Sequence, residues 1–584
     1  MNRKWVLKKI DEQAVDHLHE ELNINRTLCK LLVQRGVLNY ENAKKFFRPS
    51  LETHLHDPFL MKDMDKAIER IDRAMNNKEK ILVYGDYDVD GTTAVTVVYG
   101  FLKDLYFYVD YYLPDRYLEG YGVSTQGIDW AYANGFSLII ALDCGIKSVD
   151  KVEYAQTLGI DFIICDHHRP DAVLPPAYAV LDPKRRDCPY PFKELSGCGI
   201  GFKLLSALAQ TKGIPFTRVA KLLDLVAVSI AADIVPINDE NRVLAHFGLK
   251  RLNHNPRPGL RSLIELNSLN RHLTISDIVF SIAPRINAAG RMDDAKQAVR
   301  LLMSQEGNTA RKRAADLQLH NNQRKQIDSG ITEEALLLLE NSTPNPNQRT
   351  TVLYQPHWHK GVIGIVASRL IEKYHRPTIV LTLSNGLVSG SARSIAGYDI
   401  YNAIKACSDL LEQFGGHRYA AGLTMLEENV PEFIERFEKV VSETIEDSML
   451  KPEIHIDTEI NLNDITPKFY SILKQFAPFG PANMKPVFLA RNVTDAGWSS
   501  VVGNNHLRLM IRQGTSNVIK GIGYNMGNFI DAVKAGEAFD VCFSIEENNY
   551  NNSNALQINI RDIQPAGMDI ETTKMVEEEE NYDT

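Results

Sequence analysis

Nowhere does the chain run through eighteen consecutive apolar residues, so no segment is long enough to cross a bilayer as a helix. Its N-terminus, Met1-Asn-Arg-Lys-Trp-Val-Leu-Lys-Lys9, lacks the apolar core of a signal peptide, and a cytoplasmic protein is expected. Cysteine is scarce. Seven are scattered without a Cys-x-x-Cys pair, which argues against both a disulfide framework and a thiolate zinc site. Positive charge is short as well, with 65 Lys and Arg against 74 Asp and Glu, a net of −9. Such a deficit speaks against a nucleic-acid partner only if it is spread evenly, and it is not. Residues 569–584 hold seven acids and one lysine, leaving −3 for everything before them, while segment 281–326 has nine basic residues against four acidic ones. A local basic surface therefore survives. The acidic tail, 567–584, is expected to be disordered.

What is present is more specific. Three apolar runs each stop at an acidic or imidazole cluster: Lys80-Ile-Leu-Val-Tyr84 before Asp86-Tyr-Asp88-Val-Asp90-Gly91, Leu138-Ile-Ile-Ala-Leu142 before Asp143, and Phe162-Ile-Ile-Cys165 before Asp166-His167-His168. Short β-rich runs without polar alternation predict parallel strands buried on both faces. Ligands of such sheets collect at the carboxyl ends of the strands. Five carboxylates and two imidazoles are thereby expected on one rim, where like charges are tolerable only with cations among them. The Asp-x-Asp-x-Asp-Gly stretch could belong to a calcium loop, but a buried strand precedes it and no glutamate follows at the twelfth loop position. Imidazole beside carboxylate selects a transition metal such as Mn²⁺. Asp233, a lone acid in Ser229-Ile-Ala-Ala-Asp-Ile-Val-Pro236, is a further ligand candidate, because a buried acid needs a partner. A two-metal hydrolase is the first hypothesis.

At 584 residues, three or four domains are expected. Residues 1–75 read as helical. Strand and helix patterns alternate over 76–292, with a first crossover helix at 92–102 starting directly after Gly91. Residues 293–342 read as a connector helix, broken at Glu306-Gly-Asn308 and polar on every face in its middle, as where a helix crosses solvent. The run Ser342-Thr-Pro-Asn-Pro-Asn-Gln348 marks a boundary. A smaller α/β domain is expected over 343–447, with strands near 351–354 and 378–383, a helix at 362–374, a Gly-rich turn at Ser389-Gly-Ser-Ala-Arg393 and a closing Phe414-Gly-Gly-His417. From 452 to 566 short alternating runs, such as Leu556-Gln-Ile-Asn-Ile-Arg561, predict a small antiparallel barrel or sandwich. Gly197-Cys-Gly-Ile-Gly201 has no preceding strand or placed acid to make it a dinucleotide fingerprint and reads as a tight helix start.

The motifs Gly85-Asp-Tyr-Asp-Val-Asp-Gly-Thr-Thr93, Ala141-Leu-Asp-Cys-Gly145, Asp166-His-His168, Ala232-Asp-Ile-Val-Pro236 and Pro284-Arg-Ile-Asn-Ala-Ala-Gly-Arg291, in that order, resemble those of the DHH phosphoesterase superfamily and, within it, the RecJ family of bacterial single-strand exonucleases. The resemblance covers nearly the whole chain. It implies an α/β fold, with a parallel-sheet DHH catalytic domain joined by a long helix to a smaller α/β DHH-associated (DHHA1) domain and followed by a β-barrel OB-fold. It places Asp88, Asp90, Asp143, His167 and Asp233 at metal-ligand positions for two divalent ions, Mn²⁺ in first place and Mg²⁺ in second. His168 falls beside the reacting phosphate and Asp86 in a supporting role. Arg116, Ser391 and Arg393, with Ser389, fall at a 5′-phosphate pocket, and Tyr121 at a stacking or wedging position. Arg285, Asn287 and Arg291 could line the strand's path, and Gly416 and His417 could close over the phosphate. In the OB region Tyr470, Phe479, Trp498, His506 and Arg508 could serve either DNA or the core.

The activity so implied is 5′ to 3′ exonuclease digestion of single-stranded DNA in repair and recombination, by a monomer working with a helicase and a single-strand-binding protein. Two alternatives stay open: an oligonucleotide or cyclic-dinucleotide phosphodiesterase of the same superfamily, and a catalytically silent DNA-binding scaffold.

Overall fold

The computed structural model describes residues 3–269, 271–341, 345, 347–548, 555–568 and 570–573. They form two compact units, one from residues 57–233 and 248–452 and the other from those described within 3–56, 234–247 and 453–573. The acidic run 577–580 and most of the expected 342–348 boundary lie outside the described residues. Among the described residues no helix is long and apolar enough to cross a membrane.

The first element departs from an all-helical N-terminus. It is a strand, β1 (Lys4–Lys8), which pairs in parallel with two strands from the far end of the chain. Trp5-Val-Leu is too short to show a period, and its partners lie more than 400 residues away, so nothing local announces it. Helices Glu12–Leu22, Arg26–Val33 and Tyr40–Phe47 then follow, as the sequence suggests.

In the first unit β2 (Lys80–Gly85), β3 (Val109–Tyr112), β4 (Phe136–Leu142), β5 (Asp161–Cys165) and β6 (Ala179–Leu181) form an all-parallel sheet in the order β3-β2-β4-β5-β6. The three apolar runs are its centre. Leu82, Tyr84, Ile139, Ala141, Phe162 and Ile164 point to one packed face. The residues between them, also buried, point to the other, which is covered by α1 (Val89–Leu105) and α2 (Gly197–Thr211). Helix α1 starts three residues earlier than expected because Asp88 is its N-cap: the carboxylate accepts the Gly91 N–H at 2.9 Å. A third helix, α3 (Leu223–Ala232), packs on α1 and α2.

Helices α4 (Ala283–Met292), α5 (Lys296–Leu302) and α6 (Gly307–Asn341) lead on; the break expected at 306–308 comes earlier, at 303–306, and Gly307 and Asn308 open α6. The polar middle of α6 does not cross solvent. Asn321, Arg324 and Asp328 are buried there, with Arg324 donating to Asp328 and Asn321, both at 2.7 Å, and Arg369 2.8 Å from Asp328. Mutual pairing makes a polar face buriable, which composition alone does not show. Next come β7 (Thr351–Tyr354), α7 (Ile363–Tyr374), β8 (Thr378–Ser384), β9 (Leu387–Arg393), β10 (Gln413–His417) and β11 (Ala420–Met425), in the sheet order β10-β11-β9-β8-β7. Ser389–Arg393, expected as a turn, is therefore the end of a central strand, held by β8 on one side and β11 on the other. Small polar residues favour turns locally, and pairing on both edges overrides that preference.

The second unit contains β12 (Glu453–Ile456), β13 (Thr458–Glu459), β14 (Phe488–Asp495), β15 (Ser500–Val502), β16 (His506–Gln513), β17 (Ile519–Gly523), β18 (Phe539–Asn548), β19 (Ala555–Pro565) and β20 (Glu571–Thr573). Strands β12 and β20 flank β1, and the rest form a seven-stranded sheet, β13-β14-β18-β19-β17-β16-β15. A bulge between Ala490 and Val493, with Asn492 at φ 54°, bends β14 so that its last three residues also meet β16. Those three pairs, with two between β17 and β19, curl the sheet without making the continuous barrel wall the sequence suggests. Its core joins Phe488, Phe543, Leu507 and Ile558 to Leu28 and Leu32 of the N-terminal helices.

Candidate metal centre and substrate cleft

Strands β2, β4 and β5 end on one edge of the parallel sheet, and the residues that follow them converge. Ligand atoms of Asp143, His167 and His168 lie within 4.8 Å of one another, and so do those of Asp90, His167 and Asp233. The two donor sets share His167, whose Nε2 is 3.2 Å from Asp143, 3.5 Å from Asp233 and 3.9 Å from Asp90. Asp233 reaches the rim as the C-cap of α3. Asp88 and Asp86 stand outside both sets, although the Asp88 charge presses on Asp86, Asp90, Asp143 and Asp233 alike.

Local structure forces this convergence. An added Cβ at Gly91 would sit 2.4 Å from the Asp86 carbonyl oxygen, and one at Gly197 would sit 2.6 Å from the Asp143 Cβ, so both positions need glycine. Asp143 itself takes φ 60°, a left-handed conformation that costs a side-chain-bearing residue about 1–3 kcal/mol. Asp90 is held by the N-terminus of α2: its carboxylate accepts the N–H groups of Gly197 (2.7 Å) and Cys198 (2.8 Å) and the Ser229 hydroxyl (2.7 Å).

The electrostatics divide the cluster by role. Burial, then the Asp88 charge, raises Asp90 to about 6 against the pull of its hydrogen bonds. Burial and neighbouring carboxylates push Asp143, Asp233 and Asp86 well above the ordinary range. Burial, followed by the His168 charge, drives His167 down to about 3, which leaves it as the neutral imidazole that metals take. Burial also opposes charge on His168, but Asp166, 2.7 Å from its Nδ1, outweighs that and raises it to about 9. Asp166 is buried too. Bonds to His168 and to the N–H groups of Ile146, His167 and His168 nevertheless hold it below the carboxylate range.

Both Asp86 oxygens, Asp143 Oδ2 and both His167 ring nitrogens are buried without a well-aligned hydrogen bond. Each such atom costs about 1–3 kcal/mol if nothing answers it. Carboxylate oxygens and neutral imidazole nitrogens turned toward common points form the mixed O/N donor set of Mn²⁺ or Mg²⁺. The residues present fit divalent ions.

A cluster of positive charge faces this rim. Burial, then the charges of Arg116, Arg324 and Arg393, lowers Arg291 to about 10, so these guanidinium groups share one neighbourhood. Arg116 lies 4.1 Å over the Tyr87 ring and donates to Gly290 O at 2.8 Å. Arg291 donates to Gly361 O at 2.9 Å, and Arg393 to Ser391 Oγ at 3.2 Å. His417, next to Gly416 on β10, is lowered by burial and by the charges of Arg393 and His168. Tyr121 is 55% exposed, its hydroxyl 3.4 Å from His168 Nε2.

Two expected substrate residues are not presented to this cleft. Ser389 is nearly fully buried at the far end of its row on β9. Arg285 is buried, donating to Ser281 O and, at 2.6 Å, to Gln318 on α6. Asn287, two residues on, is partly exposed. A cavity of about 270 Å³ beside Arg116 is lined by Asp115, Glu119, Asp293 and Asp294, carboxylates that suit it poorly to phosphate.

Residues to which the sequence assigns no site role complete the site. Asp166 orients His168, Ser229 and the Gly197 and Cys198 amides hold Asp90, and the Ser196 hydroxyl bonds that of Ser229. The helix-start reading of Gly197–Gly201 was the available signal, since a buried helix N-terminus attracts an anion. In the second unit Tyr470 and Phe479 pack against the core, whereas Trp498 is 65% exposed, Arg508 is exposed and His506 meets Tyr524 edge to face at 5.3 Å.

Comparison with known proteins matches the DHH family, N-terminal domain, to residues 80–230, the DHHA1 domain to 347–443 and the RecJ OB domain to 456–562. The single-stranded-DNA-specific exonuclease RecJ of Bacillus subtilis (strain 168) is 37% identical over 563 residues, covering 96% of this chain and 70% of that protein. RecJ of Escherichia coli (strain K12) is 33% identical over 565 residues, covering 92% and 96%. The crystal structure of RecJ in complex with Mn²⁺ from Thermus thermophilus matches with a TM-score of 0.84 at 26% identity, covering 97% of this chain and 80% of that one.

Proposed function

Because the chain belongs to the RecJ family of single-stranded-DNA-specific exonucleases, we propose that it removes nucleotides one at a time from the 5′ end of a single strand, with Arg116, Ser391 and Arg393 holding the terminal phosphate. It is a metal-dependent exonuclease of single-stranded DNA. The observation that carries the proposal is the meeting of two opposite charge clusters: unpaired carboxylates and a neutral imidazole on one side, guanidinium groups on the other.

Divalent ions held by Asp88, Asp90, Asp143, His167 and Asp233 would supply Lewis acidity and lower the pKa of water at the scissile phosphate. The protein's own groups do the rest. Arg393 and Arg116 give the terminal phosphate charged donors, and Ser391 adds a hydroxyl. His168, kept cationic by Asp166, offers an N–H where negative charge grows on the phosphoryl oxygens. Water oxygen bonds to phosphorus, the bond to the 3′ oxygen breaks, and that oxygen leaves with a proton. The products are a 5′-mononucleotide and a strand shortened by one residue that again carries a 5′-phosphate, the group the pocket recognises. Tyr121, exposed beside His168, would stack on the terminal base or wedge against it.

The test uses one strand labelled at either end and incubated with Mn²⁺. Label at the 5′ end should appear first in mononucleotide, and label at the 3′ end in a ladder of shrinking fragments. The reverse pattern would refute the 5′ assignment.

A further inference from the structure

Phe280 is 77% exposed, although its neighbours Ile278, Ile282 and Ala283 are all buried. It lies in a π turn, Ile278–Ile282, that runs directly into α4. Pro284 has no N–H to give the Phe280 carbonyl, so the ordinary i+4 bond cannot form and the chain widens by one residue. Arg285 fastens the widened turn by donating to Ser281 O and to Gln318 on α6. The ring is thus held in water by a buried, hydrogen-bonded frame rather than by a loose loop.

From Phe280 the partly exposed positions continue through Pro284, Asn287 and Arg291, while Arg285, Ile286, Ala288 and Ala289 between them are buried. Intervals of four, three and four keep these positions on one helical face. At its far end the stripe reaches Arg291, which shares its surroundings with Arg116 and Arg393. Midway, Asn287 is partly exposed, although its Oδ1 is buried without a hydrogen-bond partner. At 1.5 Å per residue the stripe is about 16 Å long.

We propose that Phe280 is a stacking platform for a base of the single strand that feeds the phosphate pocket, with Pro284 beside it and Asn287 and Arg291 along the path between. The inference rests on the single-strand exonuclease reading above and adds a residue that measures strand length. At about 3.4 Å per stacked nucleotide, the platform lies roughly five nucleotides from the pocket, and fewer along an extended strand. An aromatic face accepts any base, so the contact favours long strands without selecting sequence.

Phe280→Ala should raise KM for a long single strand by about 5-fold or more, the loss expected for one stacked base. KM for a 5′-phosphorylated dinucleotide, too short to reach the ring, should stay unchanged, and Phe280→Trp should restore the long-strand value. A strand carrying 2-aminopurine at successive positions should show one quenched position in the wild-type protein that brightens in Phe280→Ala. Unchanged long-strand KM, equal loss on the dinucleotide, or quenching that survives Phe280→Ala would each overturn the platform while leaving the exonuclease standing. A wild-type protein inert toward every single strand would instead overturn both readings.

Discussion

Arg242 in one unit and Asp143 in the other are both buried charged side chains, and their surroundings are opposites. Burial lowers Arg242 to about 9, but its guanidinium donates to the carbonyl oxygens of Phe46, Gln475, Phe476, Ala477 and Pro478, and it lies 3.7 Å over the Phe46 ring. Asp143 has an orphaned oxygen, a strained backbone and four carboxylates raising its pKa further. A saturated buried charge ties chain segments together. A deprived one is a binding site, because the fold has paid for its burial without answering it.

The largest expected contrast breaks the rim. Asp143→Ala should reduce hydrolysis by roughly 10²–10³-fold or more, measured by single-turnover cleavage. In chelator it should not lower the thermal midpoint, since it deletes a buried carboxylate that is crowded by four others and has one oxygen unanswered. A cleavage-competent Asp143→Ala enzyme would remove the ligand assignment. Arg242→Met should behave the other way round. It should cost about 3–5 kcal/mol in denaturant unfolding by stranding a set of carbonyls, while the surviving folded protein still cleaves.

That contrast also separates what the sequence discloses from what it hides. The rim was legible because three apolar runs end at acids, and a parallel sheet gathers strand ends at one edge. The hydroxyl that holds Asp90 was not, since Ser229, with Ser196 behind it, lies on an element more than 100 residues away and only packing delivers it. Arg285 stands in the same motif as Arg291, yet one turns into α6 and the other toward the cleft, a difference that motif spacing does not carry. The role of Ser389-Gly-Ser as a strand end depended on two neighbours absent from its own stretch of sequence.

The guanidinium side of the cleft sharpens the comparison at smaller scale. Arg393→Ala should raise KM about 10- to 100-fold for strands bearing a 5′-phosphate, as expected for a charge-assisted bond, and leave 5′-hydroxyl strands unaffected. Equal losses on both substrates would remove the clamp.

A smaller effect is expected at Asp63. Burial alone would raise its pKa, but Lys66 at 2.8 Å and Arg185 at 2.6 Å outweigh it, and the folded value falls below the ordinary 3.8. Its contribution is therefore present above the unfolded pKa and lost as pH falls through the folded one. Asp63→Asn should cost about 1 kcal/mol near neutral pH and progressively less in acid, as read from urea midpoints against pH. A cost that stayed constant into strong acid would contradict the pairing.

Everything rests on the claim that the deprived rim is answered by divalent ions. Anomalous diffraction at the manganese edge, from crystals grown with Mn²⁺, tests it directly. The expected result is anomalous density for two ions among Asp88, Asp90, Asp143, His167 and Asp233. A rim that kept its side chains in place but showed no anomalous peak would contradict the account.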